Sequence, residues 1–72
     1  MNASERRLWV VEALESAAQT ARQVRRPEVA ERLTKAIAHA KERPFPFATY
    51  EAKLAVTSAQ LLEAQLMEGR CD

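Results

Sequence analysis

Arg43-Pro44-Phe45-Pro46-Phe47-Ala48-Thr49-Tyr50 is the stretch whose reading decides the fold. Pro44 and Pro46 each lack an amide donor and fix φ, so neither belongs inside a helix. Arg43 and Phe45 precede prolines and are pushed toward extended or polyproline geometry. The sequence on either side has helical periodicity. The chain is therefore expected to bend back here, with Phe45, Phe47 and Tyr50 at the bend.

After the bend, the spacing predicts a helix over about residues 50–68. Thr49 is its expected cap, Glu51 favours the positive helix start, and Gly69 is the expected stop. Its apolar arc runs through Tyr50, Leu54, Ala55, Leu61, Leu62 and Leu66, with Ala59 and Ala64 at the edges. Ser58 and Gln65 fall near the centre of that arc and need hydrogen-bond partners if buried. Val56 and Met67 project from the opposite side, which predicts a second contact surface.

Before the bend, a helix is predicted over about residues 27–42, with Pro27 in its first turn after a break at Arg25-Arg26. Its seam is Val29, Ala30, Leu33, Ala36, Ile37 and Ala40. Its outer face carries Glu28, Glu31, Arg32, Lys35, His39 and Glu42, with Glu28–Arg32 and Glu31–Lys35 spaced as favourable i, i+4 pairs. His39 is read as solvated. The first helix is predicted over about residues 4–24, capped by Asn2 or Ser4, and Asn2-x-x-Glu5 fits a capping box. Val10, Leu14, Ala17, Ala21 and Val24 form its seam, widened by Val11 and Ala18. Drawn as one continuous helix, the first and second seams would point about 120° apart, so a turn between them is favoured.

Leu8 and Trp9 fall off the first seam. Trp9 either folds over the rim of the core or joins Leu8 in a contact for a partner, where tryptophan is over-represented. Phe45 and Phe47 are either lids on the open end of a helical hairpin or a preorganised docking motif.

The 72 residues bound the answer to a single domain, residues 1–72. A chain this short buries only about 60% of its unfolded surface, and one core of this size rarely supplies more than about 3–5 kcal/mol. The single cysteine, Cys71, allows no internal disulfide and is read as an inert tail thiol in a reducing cytoplasm. A second copy or a partner protein is the remaining source of buried area. Net charge is +1, yet residues 1–26 carry five arginines and three glutamates while residues 44–72 carry two basic and four acidic side chains. The two ends are thus expected to attract each other weakly across an oligomer, subject to screening by salt.

Catalytic chemistry is not expected. One histidine and one tail cysteine cannot make a nucleophile–base–orienter set. No convergent ligand set for zinc is visible, and the only glycine, Gly69, excludes a phosphate loop. No catalytic, cofactor or metal residues are assigned, and the chain is read as no enzyme. Leu8 to Val11 is too short an apolar run for a signal core or membrane span, so a cytoplasmic location without membrane is expected. Arg6, Arg7, Arg22, Arg25, Arg26 and Arg32 keep a small helix-turn-helix-like DNA-binding regulator as the alternative. Against it, Glu28, Glu31 and Glu42 would meet phosphates, and the net charge is near zero.

Glu31-Arg32-Leu33-x-x-Ala36-Ile37, a breaking loop, and Tyr50 opening an Ala/Leu-rich helix through Leu61-Leu62-Glu63-Ala64 carry a resemblance. Residues 30–68 resemble the small helical-hairpin co-chaperones of bacterial type III secretion needle subunits. The resemblance implies a hairpin that pairs with a helical-repeat chaperone, the two together holding the needle subunit. The family loop tends to contain glycine where this one is Pro-Phe-Pro-Phe, and residues 4–24 add a helix.

The expectation is therefore an all-α protein of three helices, built as a helical hairpin around the Pro-Phe-Pro-Phe loop and completed by oligomerisation or a partner. Its expected function is non-enzymatic protein binding, as an adaptor, co-chaperone or small inhibitor of a larger protein. The expected partners are another protein and itself, as a homodimer. The contact residues assigned are Leu8, Trp9, Phe45, Phe47, Tyr50, Leu54, Val56, Leu61, Leu62, Leu66 and Met67.

Overall fold

The structure, a computed structural model, describes residues 2–42 and 48–69. It contains three α-helices: α1 (Ala3–Gln23), α2 (Pro27–Lys41) and α3 (Thr49–Glu68). The Pro-Phe-Pro-Phe loop with Phe45 and Phe47, and the tail with Cys71, lie outside the described residues.

Local chemistry sets the helix ends. At the start of α1 the expected capping box forms. The Glu5 amide donates to Asn2 Oδ1 at 2.9 Å and the Asn2 amide donates to Glu5 Oε1 at 3.2 Å. At its end Arg25 is left-handed, with φ 61°. The Arg26 amide donates to the Ala21 carbonyl at 2.8 Å and the Arg25 amide to the Arg22 carbonyl at 3.2 Å, the paired bonds of a Schellman turn. Pro27 then opens α2 at its first position, where its missing donor costs nothing. At α3 the cap differs from expectation: Ala48 is the N-cap and supplies no side-chain bond. Thr49 is already helical, and its Oγ1 accepts from Arg6 Nη1 at 3.3 Å. Gly69 does end α3, but in a right-handed conformation that any residue adopts.

α1 is the central element. α2 runs antiparallel to it, placing Ala40 beside Val10 and Val11. α3 runs parallel to it, from Arg6–Thr49 at one end to Thr20–Glu63 near the other. Val11 and Ala18 face α2 while Thr20 faces α3, nearly opposite sides of α1 at about 100° per residue. The two arms of the expected hairpin do run in opposite directions, but α1 lies between them. No Cα of α2 comes within 8 Å of a Cα of α3. The molecule is accordingly a long slab, 41 × 18 × 13 Å.

The interior is small. Among the described residues seven of the twelve buried apolar ones are alanine, and the largest fully enclosed side chain is Val10. Each buried methylene contributes about 0.8 kcal/mol, so an alanine-filled core leaves much of the apolar bulk unused. Of seven leucines only Leu33 and Leu66 are buried.

Candidate functional site

The rotation of α3 about its axis creates the site. Its buried stripe is Ala52, Val56, Ala59 and Leu66, one turn apart along a face that also carries half-buried Glu63. This corrects the expected arc. Val56 lies in the core at 3% exposure and Leu66 at 8%, whereas Leu54, Leu61 and Tyr50 stand outside at 49%, 60% and 72%. Two physical causes act together. Alanines on α3 meet the alanines of α1, so the helices approach more closely than leucines would allow. Glu63 also finds donors there: Thr20 Oγ1 at 2.9 Å, and Ser16 Oγ at 2.9 and 3.1 Å from its two oxygens. Turning the leucine arc inward would instead have buried Ser58 and Gln65, whose polar groups would then need partners. Both are exposed, and neither is buried as the arc placed them.

Splayed α2 and α3 leave an apolar trough between them. One part encloses ≈ 280 Å³ and is lined by Val10 and Leu14 of α1, Leu33, Ala36 and His39 of α2, and Ala55, Ser58, Ala59 and Leu62 of α3. A second part, ≈ 220 Å³ and of mixed polarity, shares Leu62 and is lined also by Val24, Arg26, Val29, Gln65, Leu66 and Gly69. Leu62 is half-buried in the wall, and Leu54 and Leu61 stand on the outer side of α3 beyond it. The polar side chains of the lining are His39 and Ser58 in the first part and Arg26 and Gln65 in the second.

The remaining assigned residues are scattered. Trp9 is half-buried against the cluster of Val10, Ala52 and Val56, so it lies on the core rim. Leu8 is 59% exposed, beside a separate hollow of Ser4, Arg7, Val11 and Lys41. Met67 is half exposed, on a part of α3 away from the trough. The trough residues of α1 and α2 were not assigned from sequence. The signal that could have found them is Ser58 and Gln65, two polar groups in a leucine arc that marked it as an outer face.

Charges lie mainly outside. Lys35 Nζ is 3.8 Å from Glu31, the expected pair. Glu28 pairs not with Arg32 but with Arg26, at 4.0 Å. His39 Nδ1 is 3.7 Å from Glu42. Among the described residues no group of three His, Cys, Asp or Glu side chains could hold a metal ion, and no helix is long and apolar enough to cross a membrane.

No family model matches the chain, and no curated protein or solved structure does either.

Proposed function

We propose that this chain is a non-enzymatic protein-binding module, an adaptor, co-chaperone or small inhibitor of a larger protein, which receives an amphipathic helix in its trough. The observation that carries the reading is the inverted placement of apolar bulk. Alanine fills the core while Leu54, Leu61 and Tyr50 stand outside it, next to an apolar channel. Contiguous apolar surface of this kind marks interaction sites, and helices dock in such grooves through residues one turn apart. Self-association as a homodimer belongs to the same reading, since a purified chain has no other cover for this face. The resemblance to needle-subunit co-chaperones supports the same class of function, because a helical-repeat partner presents helices. The pairing of Glu31 with Lys35 and of Glu28 with Arg26 weighs against a DNA-reading face on α2.

The test is a partner captured from the native cell extract by the tagged protein, identified, purified and titrated. Leu61→Glu, which puts a charge beside the trough, is expected to weaken that complex at least about tenfold, or roughly 1.4 kcal/mol. Lys53→Glu, on the far side of α3, leaves it unchanged. Equal affinity for wild type and Leu61→Glu would remove the trough from the account.

A further inference from the structure

We infer that, in the absence of a partner, the trough holds α3 of a second copy of this chain, with the two α3 helices parallel and related by a two-fold axis running along them. The inference rests on the docking reading above and adds the occupant and its direction.

Charge selects the arrangement. From Arg26 to Lys41 the second helix and its cap residue carry four basic and two acidic side chains; α3 carries Lys53 against exposed Glu51 and Glu68, with Glu63 turned onto Ser16 and Thr20 of α1. Two copies placed trough to trough about a perpendicular axis would set α2 on α2 and α3 on α3, like charge against like. Exchange about an axis parallel to the helices sets α3 of one copy against α2 of the other, opposite against opposite. Complementary potentials favour the second and penalise the first. Among the described residues neither Arg32 nor Glu68 has an ion pair within its own chain, so both are available to the other copy.

The register agrees. Ala36 and Ser58 line the same part of the trough, and Arg26 lies level with Gln65 and Gly69. A second α3 running parallel to the first therefore brings its Glu68 level with Arg26 and its leucines over Val29, Leu33 and Ala36. The half-buried Ala55 and Leu62 then face their own counterparts across the axis.

Single-cysteine variants in a Cys71→Ser background decide it. Ala55→Cys and Leu62→Cys are each expected to oxidise to a covalent homodimer as the main product, because a disulfide needs Cα atoms within about 7 Å. Lys53→Cys, outside the contact, is expected to stay monomeric. Two positions seven residues apart can both pair with themselves only between parallel helices in register. Circular dichroism matching wild type confirms that each variant is folded. Crosslinking at only one of the two positions, or at Lys53→Cys as readily, overturns the arrangement. A folded chain that sediments as a monomer overturns self-pairing as well. In that case sensitivity of the captured partner to Leu61→Glu still supports the docking reading, whereas indifference to it defeats that reading separately.

Discussion

Thr20 Oγ1 donates a 2.9 Å hydrogen bond to Glu63 Oε1, and this contact between α1 and α3 holds the leucines of α3 outward. Thr20 is only 8% exposed, so its hydroxyl depends on that carboxylate. Glu63→Ala removes an acceptor shared by Thr20 and Ser16 and is expected to cost about 1–2 kcal/mol in urea unfolding. A change below a few tenths would mean that another contact sets the rotation of α3.

Close packing of alanine on alanine supplies the other half of that constraint. Ala52 of α3 is 0% exposed in the cluster with Val10, Val11 and Val56, so Ala52→Leu has no room and is expected to destabilise the fold by roughly 1–3 kcal/mol. Leu61→Ala, on the largely solvated side of the same helix, is expected to leave the stability of the lone chain within about 0.5 kcal/mol while weakening its self-association. Denaturation of dilute samples, set beside sedimentation of concentrated ones, separates the two effects.

The turn between α1 and α2 is strained at one residue. Arg25 has φ 61°, a conformation that costs a side-chain-bearing residue about 1 kcal/mol or more. Arg25→Gly is expected to raise stability by about 0.5–1 kcal/mol, after the added freedom of glycine in the unfolded chain is set against the relief. A thermal scan that showed a loss would point to a stabilising role for the arginine side chain.

The start of α3 lacks a side-chain cap. Ala48 occupies the N-cap in extended geometry. Ala48→Asp places an acceptor over the first amides and a negative charge at the positive helix end. It is expected to add about 0.5–1 kcal/mol by urea titration. No gain would mean that these amides already have partners.

Helix number, helix limits and the break at Arg25-Arg26 were legible in the sequence, because capping chemistry, Pro27 and the paired prolines are local signals. So was the seam of α1, whose Val10, Ala17 and Ala21 are fully enclosed. The facing of α3 was not legible. Hydrophobic size put Leu54, Leu61 and Leu66 on one apolar arc and Val56 opposite it, but which residues are buried depends on what α1 presents. Alanines and two hydroxyls at Ser16 and Thr20 select the smaller face of α3 and give Glu63 its place. That information lies more than forty residues away in the chain, beyond the reach of periodicity. The trough was hidden for the same reason. It is formed by α1 lying between two arms that the loop alone suggested would pack together.

The central claim is that another polypeptide covers the apolar bulk this chain leaves outside its core. Light scattering of the purified wild-type protein at micromolar concentration tests it most directly, because the only cover then available is a second copy. The account predicts a molar mass of twice 8.1 kDa that falls toward 8.1 kDa in Leu61→Glu. A stable, fully folded wild-type chain at 8.1 kDa over the whole concentration range would contradict it.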